Sequence, residues 1–153
     1  MENMFLSVHN LLRWGVLIVG FYAVIKALIG WQGNKPFTNA DNKTGMIFTL
    51  FVHLQTLVGL FMYFFTSSIT KSAMQDMGGA MKNSELRYWA VEHLSIMLIA
   101  AVLITIGRSK SKRASTDILK HKKAFIFFGI GLILILSMIP WAFGSHPRPW
   151  FRF

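Results

Sequence analysis

The chain has 153 residues, 54% hydrophobic and only 14% charged, with no cysteine and a formal net charge of +10. A soluble domain carries about 25% charged residues, so the composition excludes an ordinary water-soluble globule and points to an integral membrane protein. The missing cysteines exclude disulfides, covalent c-type haem attachment, thiolate zinc sites and cysteine-ligated iron–sulfur clusters.

Four apolar stretches follow one another, each long enough for a bilayer core of about 30 Å. The first runs from about residue 5 to 31 and is interrupted by His9, Arg13 and Lys26. The N-terminus, Met1 to Phe5, lacks the basic region and small-residue cleavage site of a signal peptide, so this stretch is expected to stay as a helix. Lys26 lies near the far end and can snorkel to the interface; Arg13 lies too deep to do so easily. Gly33, Asn34, Pro36 and Asp41 punctuate the loop that follows. The second stretch spans about 44–66, with His53, Gln55 and Thr56 as its polar interior and Tyr63, Phe64 and Phe65 as an aromatic belt.

Residues 67–84 read as a polar hairpin in which Met74, Met77 and Met81 recur at near-helical spacing. Ser84 is a plausible N-cap for the third stretch, about 85–107, whose first turns hold Arg87, Tyr88, Trp89, Glu92 and His93. A basic segment, 108–123, carries Arg108, Lys110, Lys112, Arg113, Lys120, Lys122 and Lys123 against Asp117 alone. Thr116 or Asp117 can cap the fourth stretch, about 117–143, where Pro140 should kink the last turns. The tail from Gly144 is rich in Pro, Trp and Arg and is expected at the interface. The whole reads as one all-α domain, residues 1–153, folded as an up-down-up-down bundle of four transmembrane helices.

In a soluble protein the positive charge would suggest nucleic acid. Here the basic residues sit between apolar runs, where topology and anionic lipid explain them and a nucleic-acid partner is not expected. The positive-inside rule puts segment 108–123 in the cytoplasm and both termini outside. At a rise of about 1.5 Å per residue, His9 lies about 7 Å and His93 about 11 Å from the outer ends of their helices. His53 lies about 14 Å and His121 about 6 Å from the inner ends. Two levels follow, His9 with His93 and, less well matched, His53 with His121.

Ionisable residues inside a membrane are rare and usually face the protein interior. In a four-helix bundle the first and third helices face each other diagonally, as do the second and fourth. Each histidine pair therefore comes from opposed helices, as bis-His ligation of a haem iron requires. Arg13, four residues after His9, shares its helical face and suits a haem propionate; Arg87, above His93, could do the same. The competing reading pairs Arg13 with Glu92 as a buried ion pair needing no cofactor. His9 can equally be an interfacial histidine bound to water, His53 a satisfied polar residue beside Gln55, and His121 a loop residue among lysines.

The segments His-Asn-Leu-Leu-Arg-Trp (His9 to Trp14), Glu92-His93, Ile-Gly-Arg-Ser-Lys-Ser-Lys (Ile106 to Lys112) and Lys-His-Lys-Lys (Lys120 to Lys123) resemble a family of small four-span bacterial membrane proteins labelled cytochrome b or cytochrome-b-like. The resemblance covers nearly the whole chain. It implies a bacterial inner-membrane protein with one or two b-type haems, for which His9, His53, His93 and His121 would be the ligands.

Three functions fit the residues. The first is an electron-transfer protein exchanging electrons with quinol or a respiratory partner subunit. The second is a non-haem accessory or structural subunit of a larger membrane complex, built around Arg13–Glu92. The third, a small transporter or proton pathway through His53, Glu92 and Arg13, is least favoured because no broken helix or inverted repeat is visible. No hydrolase triad, phosphate loop or HExxH motif occurs, so hydrolytic chemistry is not expected.

Overall fold

Apolar side chains recur around every side of the long segments, and the computed structural model turns them into four membrane-length helices. The structure describes residues 1–152. In chain order the helices are α1 (Glu2–Gln32), α2 (Asn39–Thr66), α3 (Ser68–Gln75), α4 (Met77–Lys82), α5 (Ser84–Arg113) and α6 (Asp117–Met138). Helices α1, α2, α5 and α6 are each long and apolar enough to cross a bilayer. No strand occurs among the described residues.

Local chemistry sets each boundary. Helix α1 ends where Asn34 takes a left-handed conformation (φ 48°) and the Lys35 N–H donates to the Gly30 carbonyl at 3.0 Å, a Schellman-type stop. Thr38 then starts α2 with a reciprocal cap. Its hydroxyl accepts from Asp41 N–H at 3.3 Å while its own N–H donates to the Asp41 carboxylate at 2.7 Å. Asn83, rather than the expected Ser84, caps α5 by accepting from the N–H groups of Glu85 and Leu86. Thr116 caps α6.

Helix α2 starts at Asn39 rather than about residue 44, and the expected hairpin 67–84 holds the short helices α3 and α4; two further boundaries differ from expectation for physical reasons. Helix α5 continues to Arg113, so most of the basic segment is helical and only residues 114–116 connect it to α6. Lysine and arginine are good helix formers, and cations are favoured near a helix C-terminus. Helix α6 stops at Met138 instead of running on to 143 with a kink. Pro140 biases Ile139 out of helical geometry, and Ile139 is indeed extended (φ −71°, ψ 129°). Pro140 therefore terminates the helix, which leaves carbonyls at its end without intrahelical donors.

The spans pack as a square: α1 against α2 and α6, and α5 against α2 and α6. The diagonals are thus α1 with α5 and α2 with α6. At the centre the ring of Phe48 meets that of Phe128 edge-on at 5.3 Å across the α2–α6 diagonal, beside the fully buried Ile104. The periphery is the reverse of a soluble surface. On α1, Leu11, Ile18 and Ile25 are 68%, 68% and 54% exposed and recur every seven residues. Such an apolar outer face is matched to hydrocarbon rather than water.

Candidate functional site

On one side of the ring pair the bundle leaves only a small cavity of about 20 Å³. Towards the end that bears both termini it opens into a cavity of about 420 Å³. Its walls are in part apolar, with Val16, Val52, Leu94, Met97 and Ile135 among the lining residues. His9 from α1 and His93 from α5 both line it, and they come from diagonally opposed helices. Arg13 lines it too, one helical turn from His9, and is only 9% exposed.

The position of His93 follows from the end of α6. The Met138 carbonyl, freed by the helix stop before Pro140, accepts from His93 Nδ1 at 2.9 Å and from the Tyr88 hydroxyl at 2.7 Å. A carbonyl can only accept, so Nδ1 carries the proton and the neutral ring keeps its lone pair on Nε2. A backbone carbonyl behind the imidazole is the arrangement that orients metal-ligating histidines. His9 is placed by contact with α2. Gln55 donates to the His9 backbone carbonyl at 3.0 Å, and the absent side chain of Gly59 gives the ring room, since a Cβ there would stand 3.2 Å from Cε1.

Two π-helical turns flank the cavity, Met62–Thr66 in α2 and Tyr88–Glu92 in α5. The Tyr63 hydroxyl joins them by donating to the Ala90 carbonyl at 2.9 Å. Such turns cluster at functional sites. Several polar atoms of the lining residues are poorly satisfied: His9 Nδ1, Arg13 Nε, Gln55 Oε1 and Trp89 Nε1 are buried without a hydrogen-bond partner among the described residues. Buried polar groups normally have partners, so these atoms are able to meet a polar group that enters the cavity. His9 and His93 are the two lining side chains with ring nitrogens that could hold a cofactor there.

The structure redistributes the other expected residues. His53 is exposed on the bundle surface, not in its interior. Phe48 and Val52 define the buried face of α2, and residue 53 is turned about 100° from residue 52. His53 Nε2 lies 2.8 Å from the Thr105 hydroxyl, which itself donates to the Ala101 carbonyl, so the imidazole is the donor. His121 is buried at the opposite end, 2% exposed, with Nε2 3.4 Å from the Pro36 carbonyl and its ring against Phe37. The bland reading of His121 as a loop residue therefore fails, but so does its pairing with His53: the two share no cavity.

Arg87 does not line the large cavity. Its Nε donates to Glu92 at 2.7 Å and its Nη1 to the Met81 carbonyl at 3.0 Å. Residues five apart do not face each other on an α-helix, but the π turn between them brings them together. Glu92 is thereby taken from Arg13, whose Nη2 instead donates to the Trp150 carbonyl at 2.8 Å.

The tail and hairpin, given no role by the sequence, complete the site. Tail residues Arg148, Pro149 and Arg152 and hairpin residues Ser67 to Thr70 line the cavity. The tail is tied along α1 by hydrogen bonds from Asn10 to the Pro149 carbonyl (3.3 Å) and from Trp14 to the Trp150 carbonyl (2.9 Å). Arg152 donates to Asn3 at 2.9 Å. Tail carbonyls can be claimed this way because prolines 147 and 149 keep the segment out of regular structure. No group of three or more His, Cys, Asp or Glu side chains suited to a bare metal ion occurs among the described residues. Compared with known proteins, the chain matches no family model, no curated protein and no solved structure.

Proposed function

We propose that this chain is a membrane-embedded electron-transfer protein holding one b-type haem between His9 and His93. The observation that carries the reading is the shared cavity of two imidazoles from opposed helices, one of them fixed through Nδ1 on the Met138 carbonyl with Nε2 left to ligate. Bound there, haem would supply reversible one-electron chemistry at a potential set by its axial ligands and surroundings. The protein's own part is positional. Met138 holds the His93 ring and its tautomer, Gly59 makes room for His9, and Val16, Val52, Leu94, Met97 and Ile135 offer apolar contact. Separation of His53 from His121 argues for one haem rather than two.

The reading extends to location and partners. The resemblance implies a bacterial inner membrane, and the basic segment 108–123 favours a cytoplasmic place for that segment, which would put the haem in the outer half of the bilayer. Quinol or a respiratory partner subunit would then be the electron donor or acceptor.

The visible spectrum of the chain purified in detergent tests this. A reduced-minus-oxidised b-type spectrum is expected, lost in His9→Ala and in His93→Ala and kept in His53→Ala and His121→Ala. A colourless protein that takes up no added haem would overturn the reading and leave the accessory-subunit alternative.

A further inference from the structure

Charge in the cavity is one-sided. Among the described residues Arg13, Arg148 and Arg152 line it together with a single carboxylate, Glu2, an excess of two positive charges. Glu2 is already engaged, accepting from the Ser68 N–H and hydroxyl at 3.3 and 3.2 Å. None of the three arginines has an ion-pair partner among the described residues. Each is held by a neutral group: Arg13 by the Trp150 carbonyl, Arg152 by the Asn3 amide, and Arg148 by the face of Trp89 at 4.9 Å. A guanidinium has five N–H donors, so every one keeps donors to spare. Arg13 is nine-tenths buried and its Nε has no partner. A buried charge in that state is costly unless something anionic reaches it.

We infer that the cavity recognises the paired carboxylates of an amphipathic ligand, with the C-terminal tail supplying two of the three arginines that receive them. This rests on the haem reading, under which the carboxylates are the propionates, and it makes the tail part of the binding site. The Trp150 carbonyl on Arg13 Nη2 occupies a place a carboxylate oxygen would take with greater strength, since hydrogen bonds between two charged groups are about twice as strong as neutral ones. Rigid guanidinium forks suit carboxylates better than ammonium groups do; every cation lining the cavity is an arginine, although the chain's other basic residues are mostly lysine.

The test compares haemin with its dimethyl ester, which keeps the iron and the ring but has no charged carboxylates. Each is titrated into haem-free protein in detergent and followed by absorbance. The wild-type chain should bind haemin roughly ten- to a hundredfold more tightly than the ester, the range for charged hydrogen bonds. In the Arg148→Gln/Arg152→Gln variant the preference should shrink severalfold, with Arg13 keeping its share. Equal binding of haemin and ester by wild type would overturn the carboxylate proposal while the haem reading stands. An undiminished preference in the double variant would remove the tail from the site. Failure to bind either porphyrin would overturn both readings together.

Discussion

Exchanging Gly131 for alanine tests a tight point of the α5–α6 contact. A Cβ at residue 131 would stand 2.5 Å from Ile104 Cγ1, 2.9 Å from Ile104 Cδ1 and 3.4 Å from the Ala100 carbonyl oxygen. Carbon atoms pack best at about 3.5–4.0 Å, so the helices must separate by roughly 1 Å or Ile104 must leave its rotamer. Ile104 and Ala100 are both 0% exposed and have nowhere to retreat. Overpacking of this kind costs about 1–3 kcal/mol. Against it stands a helix-propensity gain of about 1 kcal/mol for alanine over glycine. Gly129 isolates that gain, because a Cβ there meets nothing within 4 Å. Unfolding by SDS titration in mixed micelles, followed by circular dichroism, should find Gly131→Ala less stable than Gly129→Ala by about 1–3 kcal/mol. Ile104→Ala should also cost less in the Gly131→Ala background than in wild type, since neighbours in contact are not additive. If Gly131→Ala proved as stable as Gly129→Ala, the packing of α6 against Ile104 would be wrong.

Thr38→Ala removes the α2 cap and should destabilise the protein by about 0.5–2 kcal/mol in the same titration. Thr38→Ser should retain most of the stability, because the serine hydroxyl can accept the same bond. Glu92→Gln and Arg87→Gln should each change stability by less than about 1 kcal/mol, because both side chains are about 40% exposed. Both variants should keep full haem content, measured as the pyridine haemochrome; loss of haem on altering Arg87 would show that it belongs to the site after all.

The number and order of the four membrane-length helices were legible in the amino-acid sequence because they depend on composition and run length alone. The alternation of apolar runs and loops was enough to set His9 and His93 on opposed helices at similar heights, and Arg13 one turn from His9. Rotation about each helix axis was not legible. His53 looked interior within an almost wholly apolar segment, since hydropathy carries little azimuthal signal when lipid and protein core are equally apolar. Packing of Phe48 and Val52 fixed that azimuth and turned His53 outward.

Three further features belong to tertiary structure. The π turn at Tyr88–Glu92 breaks the 3.6-residue period on which sequence reading relies, and so gives Glu92 to Arg87 rather than to Arg13. The carbonyl that orients His93 lies 45 residues away and is free only because Pro140 stops α6 at Met138. The tail reaches Arg13 from 137 residues away, through a backbone carbonyl that every residue possesses and no motif can advertise. Composition decided that four helices cross a membrane; which side chains meet in the cavity was decided by helix rotation and by backbone groups left unpaired at helix ends.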